Sequence, residues 1–116
     1  GLAVFGEPIL QSEGVLITRS GAPEPTGFSV FQRRLQSVLV ARTYVMMDYD
    51  IRLEDVERAV ELTPGIESPT VSPLHREGWA AVRAMVPRAA TQRVMDDLYA
   101  VGARGILVTD ILSCRI

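Results

Sequence analysis

A proline-rich loop carries the densest group of polar side chains in the sequence. Residues Thr63 to Leu74 read TPGIESPTVSPL, and the three prolines in this stretch restrict its backbone. The hydroxyls of Thr63, Ser68, Thr70 and Ser72 could exchange hydrogen bonds with a small polar ligand. A rigid connection whose hydroxyls bond its own backbone explains the same residues, and composition alone favours this second interpretation.

Asp50 lies between a predicted strand and a predicted helix, and this position allows two roles. Its carboxylate could cap the helix by accepting backbone N–H bonds. It could instead accept hydrogen bonds from the ammonium or imidazole group of a ligand. From the residue alone, the cap is the favoured interpretation.

The sequence does not assemble a catalytic centre. The single histidine, His75, has no cysteine or second histidine beside it, so we expect an exposed loop residue rather than a metal ligand or base. Cys114 has no base candidate nearby and is expected to be an inert thiol. Glycine-rich phosphate-binding motifs are absent. We therefore expect no catalytic residue, no metal site and no cofactor within this chain.

Composition excludes several classes of partner. A chain of 116 residues with 47% hydrophobic content can form one packed core. Its 12 basic residues, all arginine, and 14 acidic residues give a net charge of -2, which does not suit nucleic acid. Its apolar runs are far shorter than the roughly 18 residues of a membrane span, and a single cysteine fits a reducing compartment. We expect a cytoplasmic protein with no nucleic-acid or membrane partner.

Hydrophobic periodicity predicts the elements that position these residues. From Tyr44 to Ile111 the predicted order is β-α-β-β-α-β, which indicates an α+β, ferredoxin-like domain with both helices on one face of the sheet. In the third strand one set of alternating residues should lie beneath the helices and the other should face outward: Ala80, Val82, Ala84 and Val86, and Trp79, Ala81, Arg83 and Met85. The outward set is apolar enough to need cover from a second subunit or from a further part of the protein.

The first part of the chain has a different pattern of predicted elements. Two short strands are predicted at Leu2 to Phe5 and at Gly14 to Thr18, followed by a linker-like stretch at Ser20 to Gly27. An amphipathic helix is predicted from Phe28 to about Arg42. We divide the chain into residues 1–25 and 26–116, and the start at Gly1 rather than at methionine predicts a piece of a longer protein.

Seven motifs in one order resemble the C-terminal region of the long-form ATP phosphoribosyltransferases, especially those of actinobacteria. The upstream stretch FGEPILQSEGVLI, Phe5 to Ile17, also resembles the part of that family's catalytic lobe that returns to the regulatory domain. The motifs are Tyr49-Asp50, TPGIESPT from Thr63, SPL from Ser72, the Trp79 to Arg88 stretch, MDDL from Met95, Gly102-Ala103, and the closing D-I-x-x-C-R of Asp110 to Arg115.

The resemblance implies a function for the chain. The family joins ATP to phosphoribosyl pyrophosphate with magnesium, the first step of histidine biosynthesis, and its C-terminal, ACT-like domain binds L-histidine as a feedback inhibitor. Residues 1–25 would then be a β remnant of the catalytic domain, and residues 26–116 the regulatory domain. The family's phosphoribosyl-binding loop precedes Gly1, so the chain alone should lack transferase activity.

The resemblance also implies a binding site at a contact between regulatory domains, within the self-association that gives the family its hexamers. It favours the ligand role of Asp50 over the cap. Gly105 stands where the family commonly has alanine. The implied L-histidine site comprises Asp50, Ile66, Thr70, Met85 and Gly105, with Ser68 and Ser72 as neighbours.

Two other functions fit parts of the pattern. A stand-alone ferredoxin-like sensor of amino acids would show the same βαββαβ order but would not need the two N-terminal strands. An RNA-binding module of this fold would need exposed aromatic residues on the central strands and a basic surface, and Trp79 is a lone candidate.

Overall fold

The structure is a computed structural model that describes residues 1, 3, 5–10 and 12–116. It contains a four-stranded antiparallel sheet with the strand order β2-β3-β1-β4. The strands are β1 (Tyr44–Arg52), β2 (Thr70–Pro73), β3 (Trp79–Pro87) and β4 (Arg104–Asp110), and the helices are α1 (Phe28–Thr43), α2 (Val56–Leu62) and α3 (Thr91–Ala100). Short 3-10 turns, Leu53–Asp55 and Arg88–Ala90, precede α2 and α3.

The predicted ferredoxin-like fold is confirmed, because β1 to β4 follow the βαββαβ order and the sheet is antiparallel. Alternate residues of β1 and β3 are buried, as a strand with one covered face requires. The predicted inner set of β3 is buried, with Ala80 and Val82 at 0% and 1% exposure. Residues of the sheet, of α2 and α3 and of the turn before β4 form the core together: Val45, Met47, Tyr49, Ile51, Ala59, Val82, Val86, Val94, Leu98 and Ala103.

A buried polar pair connects the central strand to the proline-rich loop. The hydroxyls of Tyr49 and Thr63 lie 2.7 Å apart, and the Thr63 hydroxyl also donates to the Ala59 carbonyl at 3.2 Å. Thr63 directly follows α2, and Gly65 two residues later has a φ of +71°, the left-handed conformation that glycine adopts most readily. The pair therefore fixes the point at which the loop leaves the core.

Arg88 joins three elements where β3 ends. Its guanidinium donates to the Arg42 carbonyl at 3.1 Å, to the Tyr44 carbonyl at 3.3 Å and to an Asp110 carboxylate oxygen at 2.9 Å. These partners lie near the end of α1, at the start of β1 and at the end of β4. One planar donor group thus holds the junction between α1 and the sheet.

The α1 helix forms where it is predicted, but its apolar face is not buried. Phe31, Val38 and Leu39 are 52%, 39% and 48% exposed, whereas Ser37 and Ala41 are buried. The buried contact of α1 with the domain is made by Ser37 and Ala41, and the apolar residues on its other side stay exposed.

The first 27 residues contain no strand among those that the structure describes. The strand expected at Gly14 to Thr18 is not formed, because a strand needs a neighbour to complete its hydrogen bonds and none of the described residues pairs with it. The strand expected at Leu2 to Phe5 falls partly outside the described residues. No helix in the part of the chain that the structure describes is long and apolar enough to cross a membrane.

The Tyr49–Thr63 pair leads to a prediction about alkaline stability. Burial raises the pKa of Tyr49 above its usual value of 10.0, and the hydrogen bond to Thr63 opposes part of this shift. Stability from the protonated phenol is present below the unfolded pKa and is lost as pH rises through the higher folded pKa. Tyr49→Phe should cost about 1 kcal/mol of unfolding free energy at neutral pH.

The same substitution should remove part of the loss of stability at high pH. The unfolding free energy of the parent chain should fall more steeply above pH 10 than that of the Tyr49→Phe variant. Urea unfolding at several pH values measures both curves. Parallel curves would show that Tyr49 does not titrate with unfolding.

Candidate functional site

The helix-free face of the sheet presents polar residues in rows across the strands. Ser72 of β2, Ala81 of β3 and Asp50 of β1 are successive register partners. Neighbouring strands lie about 4.8 Å apart, so Ser72 and Asp50 are separated by roughly 10 Å with only the small Ala81 between them. The next row contains Thr70, Arg83, Asp48 and Leu107.

Four of the predicted ligand-binding residues meet at one groove. Ile66 and Ser68 come from the proline-rich loop, Thr70 from the start of β2 and Met85 from the outer face of β3. The groove has a volume of about 310 Å³. The remaining lining residues are Met46, Glu67, Arg83, Ala84, Arg115 and Ile116.

Ser72 lies in a shallow depression beside this groove. The depression shares Thr70 and Arg83 with the groove and adds Asp48 and Ala81. Arg83 donates to Asp48 at 2.6 Å across the β1–β3 pair. This ion pair is exposed, so it contributes little to stability, but it holds the Arg83 guanidinium toward Asp48.

Asp50 and Gly105 form a second group toward the other edge of the sheet. A Cβ added at Gly105 would lie 3.6 Å from Asp50 Oδ2. The pairing of β1 with β4 shifts register between Asp48 and Asp50, and this irregularity brings the Gly105 backbone close to the carboxylate. The structure therefore places the seven predicted residues in two adjoining groups rather than in one pocket.

The helix-cap interpretation of Asp50 is wrong. Asp50 lies inside β1, which continues to Arg52, and neither the turn at Leu53–Asp55 nor α2 has a side-chain cap. The strand extends further than the sequence predicted because Asp50 and Ile51 keep the alternation of outer and inner residues, and Ile51 is fully buried. The half-buried carboxylate is thus directed to the outer face, where it can accept hydrogen bonds from a cationic ligand.

Sequence reasoning missed the six remaining lining residues, among them Met46, Arg83 and Arg115. The two-residue period of β1 could have identified Met46, which is the register partner of Met85. Arg115 belongs to the closing D-I-x-x-C-R motif, but the sequence does not show that this tail returns to the outer face. In the structure the Cys114 backbone N–H donates to the Ser37 carbonyl at 3.0 Å, and this contact brings Arg115 to the groove.

The other reactive side chains do not form a catalytic group. His75 is exposed in the loop after β2, as predicted. Cys114 is half-buried, with its thiol 4.0 Å from the Met85 sulfur. Within residues 1, 3, 5–10 and 12–116, no three histidine, cysteine or acidic side chains gather where they could hold a metal ion.

Fold and site together define a class: a ferredoxin-like α+β domain with an open polar groove on the sheet face opposite its helices. The chain belongs to the family described as "HisG, C-terminal domain", whose model matches residues 41–113. The match includes β1 to β4 and the proline-rich loop, and it ends at Ser113.

Several actinobacterial proteins are similar over the whole chain. The ATP phosphoribosyltransferase of Streptomyces coelicolor is 66% identical over 120 residues, which cover 100% of this chain and 42% of that protein. The ATP phosphoribosyltransferases of Salinispora tropica and Kocuria rhizophila are 62% and 61% identical, again over 100% of this chain and 41% of each relative. The chain therefore spans about two fifths of the length of these relatives, and the resemblance to their C-terminal region is confirmed.

The Gly105 backbone beside Asp50 leads to a second prediction. Gly105 has a φ of +59°, a left-handed conformation in which an L side chain is strained, while the 3.6 Å approach to Asp50 is an ordinary contact. Gly105→Ala should therefore lower the unfolding free energy by about 1 kcal/mol through the backbone alone. Urea unfolding of the variant and the parent chain measures this difference.

Gly14→Ala is the matched control. Gly14 does not have a positive φ, and a Cβ there would meet nothing within 4 Å. The control should keep the stability of the parent chain. Equal stability of all three proteins would mean that Gly105 does not keep its left-handed conformation in solution.

Proposed function

We propose that this chain is the histidine-sensing part of an ATP phosphoribosyltransferase and binds L-histidine for feedback inhibition. The observation that carries the proposal is the placement of Asp50 and of the Thr70 and Ser72 hydroxyls on one open face of the sheet. Membership of the HisG C-terminal domain family, together with relatives named ATP phosphoribosyltransferase, supports the same role.

The chemistry of L-histidine matches the residues on this face. Its ammonium and imidazole N–H groups are donors that a carboxylate such as Asp50 accepts. The hydroxyls of Ser68, Thr70 and Ser72 provide exposed donors and acceptors, and the half-buried Ile66 and Met85 offer apolar surface to the ring. The groove volume of about 310 Å³ is at the small end of the range for ligand sites, which suits a ligand of amino-acid size rather than a nucleotide.

Two copies of the domain would bring both groups of residues to one ligand. Within a single copy, the groove lies at β2 and β3, while Asp50 and Gly105 lie at β1 and β4. The face is also apolar in places, since Leu107 is 65% exposed and Met46 and Met85 are only half-buried. We propose that the faces of two copies meet, as in the self-association expected for the family's hexamers, and that L-histidine binds at this contact.

The proposal assigns the transferase chemistry to the rest of the enzyme. The intact protein is proposed to join ATP to phosphoribosyl pyrophosphate with magnesium in the cytoplasm, and this chain is proposed to be inactive by itself.

Removal of the Asp50 charge tests the binding site. Asp50 makes no cap and no described ion pair, so Asp50→Asn should fold normally with an unchanged melting temperature in buffer. Loss of a charge-assisted contact in a partly desolvated site should weaken L-histidine binding by about 2 kcal/mol, well over tenfold. Calorimetric titration gives the affinity, and the ligand-induced rise in melting temperature should largely disappear.

Asp97→Asn is the control for this substitution. Asp97 is exposed on α3, which packs on the opposite face of the sheet, so the same change of charge there should leave L-histidine affinity unaltered. An Asp50→Asn variant that binds L-histidine as tightly as the parent would exclude Asp50 from the site.

The proposed contact between sheet faces predicts a defined oligomer. Sedimentation of the parent chain at high micromolar concentration should show a single assembled species. Leu107→Glu should shift it toward the monomer, because a charge at this exposed apolar position of the outer face would be desolvated in the contact. Tyr99→Glu, at a 63% exposed site on α3, should leave the assembled species unchanged. A folded parent chain that stays monomeric would contradict the proposed contact.

A further inference from the structure

The C-terminal tail places a guanidinium beside the proposed binding site. Arg115 and Ile116 line the same groove as Ile66, Thr70 and Met85. Two contacts of the preceding residue hold the tail there: the Cys114 N–H donates to the Ser37 carbonyl at 3.0 Å, and the Cys114 thiol lies 4.0 Å from the Met85 sulfur. The position of Arg115 thus follows from contacts of the tail with both α1 and β3.

An amino-acid ligand needs a cation that the seven residues predicted from the sequence do not provide. Its α-carboxylate is negatively charged, while those seven residues contribute one carboxylate, hydroxyls, apolar side chains and backbone. Arginine suits a carboxylate because its planar group can donate two parallel hydrogen bonds. The groove offers two arginines, Arg83 and Arg115.

Of these two arginines, Arg115 has the available charge. Arg83 is 2.6 Å from Asp48, so its guanidinium is already paired. Among the residues that the structure describes, no carboxylate lies within salt-bridge distance of Arg115. Glu67, the one lining residue with a carboxylate side chain, is exposed on the proline-rich loop and can accept a hydrogen bond from the ligand's ammonium.

We propose that Arg115 recognises the α-carboxylate of the ligand and so selects amino acids over their decarboxylated or reduced analogues. This inference rests on the proposed function, since it names the partner of one group of the same ligand. It gives the C-terminal tail a direct part in binding.

The test compares two ligands in three variants of this chain. L-histidinol has the ammonium and imidazole of L-histidine but an alcohol in place of the carboxylate. Arg115→Gln should weaken L-histidine binding at least about tenfold and leave L-histidinol binding within about twofold of the parent. Arg115→Lys keeps the charge but not the planar pair of donors. Its affinity for L-histidine should lie between that of the parent and that of Arg115→Gln. Calorimetric titration measures the affinity of each protein for each ligand.

Arg58→Gln is the control for loss of a positive charge. Arg58 is exposed on α2, on the far side of the sheet, and its variant should bind both ligands as the parent does. If Arg115→Gln binds L-histidine as tightly as the parent, the role of Arg115 is overturned while the proposed function stands. An equal loss for L-histidine and L-histidinol would overturn it too, because the tail would then act without regard to the carboxylate. A parent chain that binds neither ligand would remove the proposed function and this inference with it.

Discussion

The two-residue alternation of β1, in register with β3, determines the positions of both the core and the candidate site. The inner residues Val45, Met47, Tyr49 and Ile51 are at most 2% exposed, and the residues between them face outward. A shift of the register by one residue would place Asp50 in the core and Tyr49 outside. Burial of a carboxylate without a partner costs several kcal/mol, so the core itself fixes the outward direction of Asp50.

The same strand also positions the loop on the other side of the sheet. Tyr49 reaches through the core to Thr63, which is 1% exposed, and this contact holds the start of the loop that carries Ile66 and Ser68. A buried hydroxyl pair of this kind is specific because neither oxygen can be left without a partner at low cost. The inner residues of β1 thus act on the outer groove through the loop.

The sequence was sufficient for the fold because the relevant signals are local and agree with one another. The alternation Ala80, Val82, Ala84, Val86 predicted the inner face of β3, and each of these residues is at most 3% exposed. Thr63-Pro64-Gly65 predicted the end of α2, which the structure places at Leu62. The family motifs agree with this order of elements, and the family model matches residues 41–113, which contain the whole sheet.

Long-range contacts account for what the sequence did not predict. The cap at Asp50 was a local interpretation, and it failed because pairing with β3 carries β1 two residues further. The apolar period of α1 predicted a helix but not its neighbour, and Phe31 remains half exposed. Likewise, no local pattern shows that Cys114 meets Ser37, a contact between residues at opposite ends of the domain.

This last contact gives the groove a physical connection to α1. Met85 lines the groove and contacts Cys114. The backbone N–H of Cys114 donates to the Ser37 carbonyl of α1, the helix that follows residues 12–27. A ligand held by both β3 and the tail would favour the arrangement in which these contacts are made together. By linkage, if such a ligand stabilises the Ser37 contact, a change in α1 that breaks this contact would weaken its binding, and the ligand would oppose that change by the same free energy. The short chain of contacts from Met85 to Ser37 is therefore where binding on the sheet and the position of α1 would be coupled.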